Sequence, residues 1–110
     1  MYQFPLEESE RILRKSLASM TTEGDSFNGA IYLTNERIVF VGYLLEITNK
    51  YLEEVPLEHI EAIAPATSLW LIPNAIVLKT IRGRSLKFVV GGRDAWLNEI
   101  KLQQRNIGVR

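Results

Sequence analysis

The residues best suited to bind another molecule are four bases in one short stretch of the second half of the chain. They are Lys79, Arg82, Arg84 and Lys87. Ammonium and guanidinium groups gathered in this way can bind phosphate headgroups or an acidic protein surface. Basic side chains also form ordinary solvated faces. The sequence therefore leaves two alternatives, an anion contact and a solvated face without a ligand.

An apolar segment precedes these bases, between two predicted strands, and comprises Leu69, Trp70, Leu71 and Ile72. Connections between strands are normally polar, so an apolar one needs a physical reason. One alternative is that the segment folds back over the open end of the sheet and packs near Trp96. The other is that it stays exposed and contacts another subunit, a protein partner or a membrane interface, where Trp and Leu are effective anchors.

Residues that carry catalysis or hold metal ions are few and badly spaced. The chain has one histidine, His59, and no cysteine, whereas catalytic dyads and transition-metal sites usually combine such residues with partners. The carboxylates of Glu53, Glu54, Glu58 and Glu61 lack the spacing of a calcium loop. Neither a dinucleotide fingerprint nor a phosphate-binding loop occurs. We therefore predict no enzymatic activity, no metal site and no cofactor.

Length and charge set the class of protein. A chain of 110 residues suits a single domain with a real core. The formal net charge is zero, although residues 1–61 carry eleven acids and five bases (−6) and residues 62–110 carry two acids and eight bases (+6). This balance, without a basic stripe interleaved with aromatic residues, predicts no nucleic-acid partner. No secretory signal and no apolar run of the roughly 18–20 residues of a membrane span occur, so we expect a cytoplasmic protein, with peripheral membrane association as the second expectation.

The clearest structural pattern is a hairpin over residues 29–42, where two β-rich runs flank a polar Asn-Glu pair. A loop with an even number of residues places Leu33 opposite Ile38 and Ile31 opposite Phe40, which puts these four side chains on one face. A slip by one residue would mix the two faces, so the hydrophobic pattern predicts this register.

A second hairpin is predicted over residues 75–90. A two-residue loop would place Leu78 opposite Lys87 and mix apolar with charged positions. A three-residue loop instead pairs Leu78 with Leu86, and it puts Gly83 at the left-handed position of a bulged hairpin. We therefore predict the three-residue loop.

The remaining segments complete a small β domain. Residues 11–22 are ambiguous, because Leu13, Leu17 and Met20 recur at helical spacing. After the second hairpin, a Gly-Gly-Arg-Asp sequence ends the strand and opens a helix that carries Trp96 and Ile100 on one apolar stripe. The predicted fold is mainly β, with about seven antiparallel strands in a bent sheet or partial barrel that one C-terminal α-helix caps.

Residues 33–40, reading Leu-Thr-Asn-Glu-Arg-Ile-Val-Phe, resemble the Leu-Thr-Asn-x-Arg-Leu-Ile-Phe signature of GRAM domains, which have the pleckstrin-homology-like fold. The similarity continues at residues 55–60 and 75–96, and it spans roughly residues 10–105. The resemblance implies that residues 11–22 are the first strand, which we prefer to a helix. We expect a lead-in at residues 1–10, the GRAM-like domain at residues 11–105 and a tail at residues 106–110.

The resemblance implies a binding module. Pleckstrin-homology relatives often bind phosphoinositides through basic residues between their first strands, but residues 20–28 hold Glu23 and Asp25 and neither Lys nor Arg. Our first expectation is protein–protein interaction or self-association through the apolar segment. The alternative is peripheral binding to anionic membrane lipids, with Trp70 inserted and the four bases at the headgroups.

Overall fold

The computed structural model describes residues 4–43, 50–68 and 71–108. Its strands are β1 (Ile12–Thr22), β2 (Asp25–Thr34), β3 (Arg37–Tyr43), β4 (Lys50–Pro56), β5 (Ile60–Ser68), β6 (Ile72–Thr80) and β7 (Ser85–Val90). A 3₁₀ turn at Leu57–His59 joins β4 to β5, and the helix α1 (Arg93–Gly108) follows β7.

The seven strands form one open antiparallel sheet in the order β4-β3-β2-β1-β7-β6-β5. Strands β4 and β5 are its two edges. Phe40 on β3 and Phe88 on β7 lie with ring centroids 6.0 Å apart, although two strands separate them in the sheet. The sheet is therefore bent so that its halves face each other, and the predicted fold class is confirmed.

Both predicted hairpin registers are present. Leu33 pairs with Ile38, and Leu78 pairs with Leu86. Gly83 has a φ of 84°, the left-handed conformation that the three-residue loop requires. The hydrophobic alternation and the glycine therefore determine these two pairings locally.

Residues 11–22 contribute the first strand rather than a helix, as the resemblance implies. Met20 and Arg14 point to the inner side of the sheet. Met20 is fully buried, whereas the Arg14 guanidinium lies 5.6 Å from the ring centroid of Trp96 on α1. A cation over an indole ring is a favourable contact, and it explains why this strand lacks a simple apolar alternation.

The main core fills the space between the two halves of the sheet and α1. The helix packs on the 3₁₀ turn, β5 and β6. It contributes Trp96, Leu97 and Ile100, which are all buried in this core. Burial of an aromatic side chain of this size is among the largest single contributions to stability in a small domain.

A second, smaller apolar cluster lies on the outer side of the β2–β3 hairpin. It contains Ala30, Tyr32, Val39 and Val41, with Phe4 packed against it. The Phe4 and Tyr32 rings meet edge to face, with centroids 4.9 Å apart. Residues just before β1 thus pack on the central hairpin, a contact that the sequence did not suggest.

An ion pair between Glu10 and Arg37 holds the residues before β1 against the β2–β3 hairpin. Arg37 Nε donates to Glu10 Oε2 at 2.7 Å, and Arg37 Nη2 donates to the Pro5 carbonyl at 2.8 Å. The Thr34 hydroxyl also donates to Glu10 Oε2, at 2.7 Å. Burial would raise the pKa of Glu10, but the hydrogen bonds and the charge of Arg37 outweigh it and hold the pKa at about 2, below the usual 4.5.

Candidate functional site

The four predicted bases surround the turn between β6 and β7, but they do not form one group. Arg84 stands just before β7, where its Nη1 lies 2.5 Å from Glu53 Oε2 on β4. Glu23, in the turn between β1 and β2, lies 3.7 Å from Arg84 Nε. The carboxylates of Glu53 and Glu23 therefore compensate the charge of Arg84 across the gap between the edge strand β4 and the β6–β7 turn.

Glu53 is the centre of this network. Its side chain is 9% exposed and also accepts a hydrogen bond from the Tyr51 hydroxyl at 2.5 Å. Burial and the bond to Glu53 raise the pKa of Tyr51, and the bond to Glu53 raises the pKa of Arg84. Tyr51 in turn stacks on Phe27, with centroids 4.1 Å apart. The arrangement ties an edge strand to the opposite half of the sheet, which is a structural role for Arg84.

The other three bases remain available to an anion. Lys79 and Lys87 lie on the outer face of β6 and β7, and Arg82 is exposed in the turn between these strands. Within the described residues, no carboxylate forms an ion pair with Lys79, Arg82 or Lys87. This small basic surface, in which Lys79 and Arg82 are exposed and Lys87 is half-buried, could bind phosphate groups or acidic side chains.

The apolar segment lies at the turn between β5 and β6, here named the β5–β6 tip (residues 69–72). Leu69 and Trp70 fall outside the described residues. Leu71 is 85% exposed, and Ile72, the first residue of β6, is 43% exposed. Ile72 pairs with Ser68 across the hairpin. Leu71 does not pack on the core, so the tip presents an aliphatic side chain to its surroundings.

The β5–β6 tip and the basic turn lie at opposite ends of strand β6. Eight residue steps separate Ile72 from Thr80, which corresponds to about 26 Å in an extended strand. Lys87 pairs with Val77 and lies between these ends. One headgroup-sized contact therefore cannot include both the tip and the bases of the turn.

The acidic residues singled out in the sequence are dispersed. Glu53 points inward to Arg84, Glu54 pairs with Arg37 at 2.7 Å, and Glu58 and Glu61 are exposed on different elements. In the part of the chain that the structure describes, no group of three or more metal-ligating side chains comes together. Within the same ranges, no helix combines the length and the hydropathy that crossing a membrane requires.

Two open grooves flank strand β4. One, of about 430 Å³, lies beside the β2–β3 turn and is lined mainly by exposed carboxylates around Arg37. The other, here named the β4 groove, has a volume of about 270 Å³ and lies between β4 and the β6–β7 turn. Its lining includes Glu53, His59, Arg82 and Arg84. The His59 carbonyl accepts a hydrogen bond from the Ile81 amide at 2.9 Å.

Sequence reasoning missed the inward position of Glu53. The signal was present, because Tyr51 and Val55 are apolar neighbours two residues away and residues at this spacing share one face of a strand. A carboxylate on a buried face requires a cation. The pattern could not identify Arg84 as that cation, since the two residues are 31 positions apart.

Comparisons with known proteins agree with this architecture. The family model described as GRAM domain matches residues 1–91. The C-terminal domain of an unknown protein from Leishmania infantum has a similar structure, with a TM-score of 0.73 and 17% identity over 88% of this chain and 86% of that chain. The Vps36 N-terminal PH domain is also similar, with a TM-score of 0.73 and 16% identity over 99% of this chain and 89% of that chain. No curated protein matches the sequence.

Proposed function

The chain belongs to the GRAM domain family, and we propose that it is a non-enzymatic binding module that contacts a protein through the β5–β6 tip. GRAM and pleckstrin-homology-like domains are modules that commonly bind lipids or proteins. The observation that carries the choice of a protein is the exposure of Leu71, an 85% exposed aliphatic side chain at the end of the β5–β6 hairpin. Removal of such a side chain from water by a partner is favourable, since apolar surface is buried.

The distance of the four predicted bases from the tip also favours a protein over a lipid. The four predicted bases lie toward the other end of β6 or half-way along it. Four apolar residues bind a membrane only weakly unless cations act beside them. A protein surface needs no such cations, since a shallow apolar pocket suffices.

Substitution at the tip tests this proposal. Leu71→Asp and Ile72→Asp should abolish any association with a protein that is made through the tip, measured by sedimentation velocity over a concentration series. Ile81→Asp is the matched control, because Ile81 is 56% exposed at the opposite end of β6. Equal loss of binding in Ile81→Asp and Leu71→Asp would show that the tip has no special role.

The second candidate function is peripheral binding to anionic membranes. Lys79, Arg82 and Lys87 support it, since they are not paired with described carboxylates. Sedimentation with phosphatidylserine vesicles at low and high salt tests this function. Binding at low salt that Lys79→Glu weakens supports it, whereas no binding at low salt excludes it.

A further inference from the structure

Strand β4 is an edge of the sheet, and among the described residues it pairs with β3 alone. The Leu57 amide donates to the Glu36 carbonyl at 3.0 Å. This bond determines which residues of β4 hydrogen-bond to β3. In an antiparallel ladder, alternate residues bond to the neighbour and the others direct their amides and carbonyls outward. Lys50, Leu52 and Glu54 therefore direct their backbone amides and carbonyls away from β3.

The two edges of the sheet differ in how they are protected. Strand β5 contains Pro65 and has register shifts near both ends, and such features are used by natural sheets to prevent further pairing. Strand β4 keeps an unbroken register with β3 over its whole length, with its proline only at the last position. Leu52 is 42% exposed at the middle of this edge. Strand β4 is therefore the edge suited to accept another strand.

We propose that β4 pairs antiparallel with β4 of a second copy of the chain, about a two-fold axis that passes beside Leu52. An isologous dimer places the same edge on both sides of the axis. In this register Leu52 meets Leu52 of the second copy. Lys50 meets Glu54 of the second copy, and the symmetry repeats that pair. Glu54 accepts from Arg37 through Oε1, so its second carboxylate oxygen, Oε2, would accept from Lys50 of the second copy. The edge thus carries complementary charges.

Neighbouring two-fold registers lack this complementarity. An axis at Tyr51 would place Lys50 opposite Leu52 of the second copy. An axis at Glu53 would bring two Glu53 side chains together and place Leu52 opposite Glu54. Like charges directly opposite each other destabilise a sheet, whereas unlike charges stabilise it. The charge pattern therefore selects the register centred on Leu52.

The pairing uses the outward-directed backbone of β4 and leaves the inner face of each sheet as it is. The inward-facing Tyr51 and Glu53 of each copy stay on their own partners, Phe27 and Arg84. The paired edge is distinct from the β5–β6 tip, and the dimer depends on no contact there.

Sedimentation equilibrium of the wild-type domain over a concentration series measures the dimer. Leu52→Pro removes an outward-facing amide, at an edge position where proline is compatible with the fold, and it should eliminate the dimer. Leu17→Asp is the control, because Leu17 is 72% exposed on β1, three strands away from this edge, and it should leave the dimer unchanged. Circular dichroism verifies that each variant is folded.

Charge exchange tests the register. Lys50→Glu and Glu54→Lys should each raise the dimer dissociation constant about tenfold, since each creates two like-charged pairs. The double variant should recover the wild-type constant. A mixture of the two single variants should form a heterodimer, because every cross-strand pair is then of opposite charge.

These outcomes separate the proposal from its rivals. A wild-type domain that stays monomeric throughout the series overturns the β4 dimer without bearing on binding of another protein at the tip. A dimer that Leu71→Asp disrupts and Leu52→Pro does not would assign self-association to the tip and also overturn it. Single variants that fail to restore a dimer on mixing would contradict the proposed register.

Discussion

Arg84 and Glu53 join strands that are far apart in the sheet, with Arg84 Nη1 2.5 Å from Glu53 Oε2. The pair bridges the gap between the edge strand β4 and the β6–β7 turn. By sequence Arg84 groups with three other bases as a candidate anion contact. The structure shows that its charge is already compensated, so its contribution to stability and its contribution to ligand binding can be tested separately.

Replacing Arg84 by Ala should lower the free energy of unfolding by about 2 kcal/mol, because Glu53 is left in a largely buried position without its cation. Urea denaturation measures the loss. Arg82→Ala is the matched control, since Arg82 is exposed in the same turn, and it should change stability by less than about 0.5 kcal/mol. Equal effects of the two substitutions would contradict the structural role of Arg84.

The Glu10–Arg37 pair predicts an acid-sensitive stability. The folded pKa of Glu10, about 2, lies below the ordinary 4.5, so the folded state holds this proton less tightly than the unfolded state. Its stabilisation is present above about pH 4.5 and is lost as the pH falls toward about 2, with a total on the order of 3 kcal/mol. Urea midpoints measured over this pH range should fall accordingly.

Glu10→Gln provides the comparison for this titration. The amide keeps the shape of the side chain but cannot ionise, so the variant should be less stable than the wild type at pH 7. The difference should shrink as the pH falls toward about 2. A constant difference across the range would show that Glu10 does not carry the acid response.

Gly29, in the middle of β2, should not tolerate a side chain because the backbone of β3 lies too close. A Cβ atom on Gly29 would lie 1.9 Å from the Val41 carbonyl oxygen, which is backbone and cannot rotate away. Gly29→Ala should therefore cost more than about 3 kcal/mol or prevent folding. Gly91→Ala is the control, because its Cβ would meet nothing within 4 Å, and thermal unfolding compares the two variants.

Tryptophan fluorescence should distinguish the two indoles. Trp96 is 1% exposed in the core, so a Trp70→Phe variant should emit at short wavelength and resist acrylamide quenching. The Trp96→Phe variant then reports on Trp70 alone. Strong quenching of Trp70 supports an exposed β5–β6 tip, and weak quenching would oppose the proposed protein contact.

The two hairpins could be predicted from sequence because each is determined by local physics. Alternation of apolar residues selects the pairing of Leu33 with Ile38, and a glycine at position 83 selects the loop that pairs Leu78 with Leu86. Both signals lie within a few residues of the turn. Fold class then followed from the number of strands and the final helix.

The first strand was harder to predict from its own pattern. Arg14 occupies an inward position that usually holds an apolar residue, and its reason is Trp96, more than eighty positions later. Leu17, in contrast, is 72% exposed on the outer side. Helical periodicity among the leucines was therefore misleading, and the family resemblance corrected it.

The candidate site could be predicted only in part for the same reason. Arg84 and Lys79 look equivalent in sequence, yet one is paired with Glu53 and the other is exposed. The packing of Phe4 on Tyr32 likewise could not be predicted from the sequence, because it joins segments whose local patterns are unrelated. Side chains that a bent sheet brings into contact have no fixed spacing along the sequence, so a local pattern cannot identify them as partners.

Strand β6 also makes the molecule convenient to label. The chain contains no cysteine, so any introduced thiol is the single attachment point for a spin label or fluorophore. Leu71 and Ile81 are exposed beyond opposite ends of β6, and Leu71→Cys and Ile81→Cys would place probes on separate surfaces. A signal change from one probe alone would show which end of the strand a bound molecule occupies, whatever the chemical nature of that molecule.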